Sequence, residues 1–474
     1  MNAEVIHRRG AENAEGSQRN AERFGEFSAT LCVLCTSAVK AVPDRLRSLM
    51  LVALFAAAPL ASRADDLLQV YRQARAADPV LAAADAARQA VREGVNLARA
   101  PLLPQATASL AFDQSQVDGG TPAQNRSRGV TAGISQVVVD LGQLARLKAS
   151  TAQADAQDGV YRAAEQALVV RVAKAYFDVL TAEDALANVQ ANEDAFRQQV
   201  EQADQRHRNG LSAQVDVEQA RAYHASARSS TIAARKALAD AREALAEITG
   251  AAPGPLLRLR DELPMDAPAP ADAQAWVTAA LQRNPLLQAQ RATITAAEQN
   301  IAAARAGHLP TLSAGLNLGR AAAWPVAAGN DGRNVATFGL VLNVPLFTGG
   351  ATESQRRQAQ YQRDGAREEL EQRRRRIVRD VLEQYRSVEA GIGQTEATRA
   401  GADAARKALA STRVGQGLGT QSMTDLLLAI QTLGSAQSAY SLARHQFVLS
   451  RLLLQQAAGA VDEADLATVN ALLQ

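Results

Sequence analysis

The residue types able to do chemistry are few in this chain and lie far apart. Its five histidines are scattered, and His224 and His445 fall inside helical patterns, where a surface or core role is the ordinary one. No His-Glu-x-x-His pair is present to hold zinc, and no Gly-x-Ser-x-Gly turn to present a nucleophile. Gly415-x-Gly417-x-Gly419 neither follows a strand nor has the spacing that cradles a dinucleotide. Cys32 and Cys35 have Cys-x-x-Cys spacing, which can serve redox or zinc chemistry, but no second pair or histidine cluster accompanies them. The pattern argues against an enzyme and calls for no cofactor and no metal. What recurs instead is Gly-x5-Asp, once at Gly210 and Asp216 and again at Gly419 and Asp425, 209 residues later.

That recurrence belongs to a repeat covering most of the chain. Asp78-Pro79 and Leu103-Pro104 return 206 residues later as Asn284-Pro285 and Leu309-Pro310, and Arg99 returns as Arg305. Asp140-Leu141-Gly142 answers Thr348-Gly349-Gly350 at an offset of 208, and Gly250 answers Gly459 at 209. The unit is far longer than the ~20 to 50 residues of a solenoid repeat, so two large equivalent halves are expected to sit side by side around an axis.

Composition narrows the form of each half. Only 4% of the 474 residues are aromatic, which suits long thin helices better than a thick globule. With 51 basic against 49 acidic side chains and a net charge of +2, there is no electrostatic case for nucleic acid. Arg45 and Arg47, the apolar stretch Leu49 to Leu60 and the small residues Ser62 and Ala64 read as a secretory signal cleaved after Ala64. Residues 1–44 form an unusually long preamble to it, either an early start codon or a poorly ordered extension. After the cleavage point there is no cysteine, which argues against a lipid-anchored N-terminus. No later apolar run approaches the ~18 to 20 residues of a membrane-spanning helix, so a membrane form of the mature chain has to be a β-barrel.

Each half reads in the same order. A short helix, Leu67 to Ala77, stops before Pro79, and proline at the first helical position starts another that runs to Ala100. Two alternating segments follow, at about 104–117 and 129–139 in the first half and 310–324 and 335–347 in the second. Leu312, Ala314, Leu316 and Leu318 oppose Thr311, Ser313, Asn317 and Gly319, while Phe338, Leu340, Leu342 and Val344 oppose Thr337, Gly339 and Asn343. Such alternation over about ten residues, with turn-rich connectors at Asp118-Gly119-Gly120 and Gly329-Asn330-Asp331-Gly332, marks a membrane hairpin. An ordinary half-buried soluble hairpin shows the same period, but two of them at repeat-equivalent positions behind a signal sequence favour the membrane. The period then becomes helical. A helix over 143–208 returns through 212–249, and one over 351–413 returns through 421–458, their narrow apolar seams suiting antiparallel coiled-coil packing. Arg373 to Arg376, with Glu369 and Glu371 four residues before Arg373 and Arg375, predict a solvated, salt-bridged face. The boundaries that follow are a leader over 1–64, a first repeat over 65–271 with a Pro-rich linker from Ala251 to Ala271, and a second repeat over 272–474.

Four strands cannot close a membrane barrel, because an open edge in lipid leaves backbone groups unpaired. The chain must therefore oligomerise, and three copies supply twelve strands. The ordered set of Asp/Asn-Pro, Leu-Pro, Val344-Pro-Leu-Phe-Thr-Gly-Gly350 and Gly-x5-Asp elements resembles the TolC family of outer-membrane channel proteins over Asp65 to the C-terminus. The resemblance implies a mainly α fold with transmembrane β strands. It implies a homotrimer whose twelve-stranded barrel in outer-membrane lipid continues into a twelve-helix tunnel in the periplasm, with an equatorial belt of short helix, linker and C-terminal segment. It implies an exit duct for type I protein secretion or multidrug efflux, working with a periplasmic adaptor and an inner-membrane transporter of ABC or RND type.

The resemblance also assigns residues. Family members close at the helical turns through polar latches and acidic rings. Asp425 falls on the first acidic position, whereas the second is Leu428. Asp216 falls on the latch aspartate, but its basic partner is replaced by Gln421 and its tyrosine partner by Gln416. The turns Gly210-Leu211-Ser212 and Gly417-Leu418-Gly419-Thr420 match the adaptor-contact motifs, although glycine at a helix turn also serves simply by supplying positive φ. Pro104, Gly142, Pro310, Pro345, Gly349 and Gly350 mark the joints between strand and helix. A competing reading is a periplasmic coiled-coil adaptor, which shares long antiparallel helices but would lack the paired hairpins.

Overall fold

A computed structural model describes residues 65–117, 123–324 and 331–474. The leader over 1–64, with Cys32, Cys35 and the cleavage point, lies outside the described residues, as do the connector Asp118-Gly119-Gly120 and the first half of the connector at Gly329.

The first repeat comprises α1 (Leu67–Ala77), α2 (Pro79–Arg99), β1 (Gln105–Val117), β2 (Ala123–Val139), α3 (Leu141–Arg208) and α4 (Gln214–Thr249). The second comprises α5 (Ala273–Arg283), α6 (Pro285–Ala306), β3 (Thr311–Trp324), β4 (Asp331–Asn343), α7 (Ala351–Gly417) and α8 (Met423–Ala457), followed by α9 (Glu463–Asn470). The two long helices have 68 and 67 residues, roughly 100 Å each at 1.5 Å per residue. Both α2 and α4 pack along α3, and α6 lies between α3 and α7, so the repeats are interleaved rather than merely adjacent. Among the described residues no helix is long and apolar enough to cross a membrane.

Several boundaries differ from the sequence reading. β2 begins six residues before 129, because Asn125 to Arg128 pair in full with β1 despite their lack of apolar alternation. β4 ends at Asn343 and not at 347, since Pro345 has no N–H to offer a ladder. α7 continues through Gly415 to Gly417, and the break comes at Gly419, where φ is +77°. The return helices start at Gln214 and Met423, after capping positions Ala213 and Ser422. Glu371 pairs with Arg374 and Arg375, but Glu369 accepts a hydrogen bond from Gln290 instead of meeting Arg373.

The strands form one antiparallel sheet in the order β1-β2-β3-β4. Its register places Leu110 opposite Val130, Ala132 opposite Leu318, Ile134 opposite Leu316, and Leu316 opposite Phe338. Directly opposed residues share a face, so the apolar alternants of all four strands fall on one side. Ser109, Thr131, Gly133 and Asn317 fall on the other, where the Ser109 and Thr131 hydroxyls are 2.7 Å apart. The nine large apolar residues Leu110, Phe112, Val130, Ile134, Leu316, Leu318, Phe338, Leu340 and Leu342 are 40–71% exposed.

The main core lies midway along the helices, where α3 carries Leu168, Val172, Tyr176, Phe177 and Leu180, all buried. Around it the segment at Asp65, the C-terminal segment and the inter-repeat linker are stitched together. Leu259 bridges to Leu473 and Asp65 to Leu256, while the Tyr176 hydroxyl donates to the Leu257 carbonyl at 2.8 Å. Asp78 fixes the α1–α2 corner. Its carboxylate accepts from the Leu81 amide at 2.8 Å and from Arg171 at 2.6 Å while only 3% exposed. Asn284 caps α6 in the second repeat, its Oδ1 accepting from the Leu286 amide at 3.0 Å. Replacing Asp78 with Ala removes a helix cap and strands a half-buried guanidinium, for an expected loss of about 2–4 kcal/mol. Asp78→Asn, which copies the second repeat, is expected to lose less, and denaturant midpoints of the two variants check the order.

His445 on α8 is buried against Phe177, with Nδ1 2.8 Å from the Thr181 hydroxyl. That hydroxyl donates its one proton to the Phe177 carbonyl at 2.7 Å, so Nδ1 is the donor to Thr181. Burial pushes the imidazole down from 6.5 to about 4, with Asp184 pulling upward and Arg444 downward. A depressed histidine leaves stability intact above pH 6.5 and withdraws it as pH falls toward 4, here on the order of 3 kcal/mol in full. Thermal midpoints at pH 7 and pH 5 should differ more for the native chain than for His445→Gln; equal differences would count against this account.

Candidate aperture and helical tips

Both long helices end in the same hydrogen-bonded turn. In the first tip the Gly210 amide donates to His207 at 2.9 Å and the Leu211 amide to Arg206 at 2.8 Å. In the second the Gly419 amide donates to Gln416 at 3.2 Å and the Thr420 amide to Gly415 at 2.9 Å. This pair of bonds needs a left-handed residue, supplied by Gly210 at φ +71° and Gly419 at φ +77°. Such turns usually bring the residue after the left-handed glycine back onto the helix as an apolar contact, yet Leu211 is 68% exposed and its counterpart is the polar Thr420, while Leu418, one residue before Gly419, is 75% exposed. The Ser212 hydroxyl donates to the Ala203 carbonyl at 3.4 Å, and Thr420 donates to the Gly415 carbonyl at 3.0 Å.

The aspartates that follow the tips occupy equivalent places but different chemistry. Asp425 is the third residue of α8, and Ser422 is its cap. The Ser422 amide and hydroxyl donate to the Asp425 carboxylate at 3.0 and 2.6 Å, and the Asp425 amide donates to the Ser422 hydroxyl at 3.1 Å. These bonds hold the Asp425 carboxyl below its ordinary range, the Ser422 hydroxyl most strongly. In α4 the capping position is Ala213, which has no side chain to donate. Asp216 therefore has no side-chain hydrogen bond or ion pair among the described residues.

The structure does not bring the sequence-derived latch residues together within one chain. Gln421 folds over Gly415, where a Cβ would stand 2.6 Å from its Cγ, and Gln416 uses its carbonyl in the turn. The link between the return helices is instead Thr424, whose hydroxyl donates to Gln219 at 2.8 Å. Nothing in the repeat pattern pointed to this pair, since Thr424 matches Val215 in the other half. Behind it a small core drawn from both repeats includes Phe196, Ala203, Val217, Leu409, Leu426 and Leu427. Leu428 lies outside that core, 54% exposed, on the same stripe of α8 as Asp425 and Thr432.

At the opposite end the joints between strand and helix also diverge. Asp140 caps α3 through the Gln143 amide at 3.0 Å, and Gly142 is buried, with Ala306 3.5 Å from where its Cβ would be. Pro104 and Pro310 sit just ahead of β1 and β3. In the second repeat Pro345 leads a loop in which Leu346 is 93% and Phe347 88% exposed, closed by Gly349 and Gly350 at φ +62° and +83°.

The sequence model of the family described as outer membrane efflux protein matches residues 70–251 and 276–460, once on each repeat. The chain belongs to the outer membrane efflux protein family. It is 35% identical to the outer membrane protein TolC of Vibrio cholerae serotype O1, over 86% of this chain and 94% of that protein. It is 28% identical to the alkaline protease secretion protein AprF of Pseudomonas aeruginosa, over 85% and 86% of the two chains. The crystal structure of CusC superposes with a TM-score of 0.74 at 21% identity, covering 84% of this chain and 93% of that one, and so shares the fold. A member of this family is an outer-membrane exit duct and not an enzyme, which sets aside the coiled-coil adaptor reading.

Ala213→Ser should give α4 the cap it lacks, a gain of about 1 kcal/mol, or roughly fivefold slower amide exchange in its first turn. Hydrogen exchange read by mass spectrometry checks this, with unchanged exchange at 214–217 as the contrary result.

Proposed function

We propose that three copies of this efflux-family chain join edge to edge into a twelve-stranded barrel in the outer membrane, continuous with a twelve-helix tunnel in the periplasm. The observation that carries this reading is the sheet itself: an apolar face across all four strands, with β1 and β4 as edges that no other strand among the described residues pairs. An unpaired edge in lipid costs several kcal/mol per backbone group, so identical neighbours must supply the missing strands. The chain divides at the cleavage point after Ala64 and at the linker before residue 272 into leader, first repeat and second repeat. The duct is passive. Gly210, Leu211, Ser212, Gly417, Leu418, Gly419 and Thr420 meet a periplasmic adaptor, and an inner-membrane transporter of ABC or RND type loads the cargo. The proteases implied by the name of AprF and the small molecules of efflux systems both suit such a duct, cargo choice resting with the transporter.

The gate lies at the same tips. Asp425 forms the one acidic ring, Leu428 places an apolar ring beside it, and Gln421 and Gln416 give Asp216 amides in place of a cation and a tyrosine. Supporting this is Asp216, whose carboxylate has no side-chain partner among the described residues, while Gln421 packs against Gly415 near the end of α7. The resting pore should therefore leak and resist block by polyvalent cations. In planar-bilayer recordings on the purified trimer, Gln421→Arg is expected to lower resting conductance several-fold by pairing with Asp216, and Leu428→Asp to strengthen cation block. A native pore that is tightly shut and strongly blocked by cations counts against this gate, and a stable monomer in the soluble periplasm counts against the duct.

A further inference from the structure

The apolar face of the sheet does not stay apolar to its far end. Toward the hairpin tips, away from the helices, the row of Leu110, Val130, Leu318 and Ala336 gives way to Gln114, Arg126, Arg128, Arg320 and Asn334 on the same face. The register places Arg128 opposite Phe112 and Ala322, Arg320 opposite Val130 and Asn334, and Arg126 opposite Gln114. Arg126 and Arg128 are thus two residues apart on β2, and Arg320 is the diagonal neighbour of Arg128 on β3. Arg320 is held in place by donating its Nε to the Gly332 carbonyl at 2.8 Å.

Asp113, next to Phe112, belongs to the opposite face, where the Ser127 hydroxyl donates to it at 3.3 Å. At the end of the face nearest the helices, the corresponding positions are Ala106, Gln136, Leu312 and Leu342, with no charge at all. A shallow hollow of about 1100 Å³ runs across the boundary, lined by Leu110, Phe112, Val130, Leu318, Arg128 and Arg320. A second hollow of about 650 Å³ adjoins it, lined by Phe112, Gln114, Arg126 and Arg128 and, at its edge, by Asp113 and Ser127. Hydrocarbon on one side and guanidinium on the other is the chemistry of an acyl chain topped by an anionic headgroup. Arginine's planar fork takes phosphate oxygens in pairs.

We propose that Arg126, Arg128 and Arg320 form a phosphate-binding site for a phosphorylated, multiply acylated glycolipid of the outer leaflet, whose acyl chains lie along Leu110, Val130 and Leu318. The proposal rests on the membrane orientation given above, which places the hairpin tips outward. The asymmetry between the two ends follows from it: the basic end meets the leaflet rich in phosphate, and the uncharged end meets the other.

The test uses the full-length trimer in detergent and native mass spectrometry with three probes: bis-phosphorylated lipid A, dephosphorylated lipid A and inorganic phosphate. The native chain is expected to retain the bis-phosphorylated lipid at least tenfold better than the dephosphorylated one. The triple variant Arg126→Gln, Arg128→Gln, Arg320→Gln should lose that preference, and millimolar inorganic phosphate should not displace the lipid. Equal retention of the two lipids by the native chain overturns the site without recourse to any variant. So does a preference that survives in the triple variant, or displacement by phosphate alone. Fractionation of the same cells separates the two readings. A native chain absent from the outer membrane overturns the orientation itself, whereas an outer-membrane trimer with no lipid preference overturns only the phosphate site.

Discussion

The pairing of β2 with β3 is the contact on which the rest of this molecule turns. It is the seam between the repeats in the sheet, and its register decides that every apolar alternant from four strands points the same way. A slip of one residue would send half of them to the other face. Nine large apolar side chains about half exposed forgo on the order of 10 kcal/mol of burial, comparable to the whole net stability of an ordinary domain. Such a face is poorly matched to water and suits the outer-membrane setting of the family.

The helices solve a different problem with different means. A bundle of 4% aromatic composition cannot rely on a thick core, so its helices approach closely through small residues. Gly159 on α3 shows how closely: a Cβ there would stand 2.9 Å from both the Ala289 side chain and the Pro285 carbonyl. That contact joins the first repeat to the second, as does the Asn192 side chain against Gly434 on α8. Larger residues concentrate at one level, where Tyr176, Phe177 and Leu180 meet the linker and the C-terminal segment. Bonds such as Arg258 to Gln474, donating at 2.8 Å in one direction and 3.1 Å in the other, tie the C-terminal segment to the inter-repeat linker.

Much of this was legible because the signals are local and doubled. Proline after Asp78 and Asn284 fixed two helix boundaries, and period-two alternation in β3 and β4 fixed both the strands and their apolar face. The misreadings have local causes. Asn125 to Arg128 look like loop by composition, but a strand needs only backbone pairing once its neighbour is in place. Gly415 and Gly417 look like breaks, yet glycine continues a helix whenever its hydrogen bonds do. The tip contact between Thr424 and Gln219 joins residues about 200 apart in the chain with no repeat counterpart, and no periodicity encodes it. Asp216 and Asp425, equivalent in the sequence, part company only when the capping residues Ala213 and Ser422 are compared.

That single difference, a hydroxyl present in one copy and absent in the other, reaches beyond its own helix. The repeat sets two equivalent turns in the sequence; one acidic group is tethered by the amide and hydroxyl of its capping serine, while its twin has no side-chain partner among the described residues. Two equivalent positions of the repeat thereby differ in how firmly each carboxylate is held.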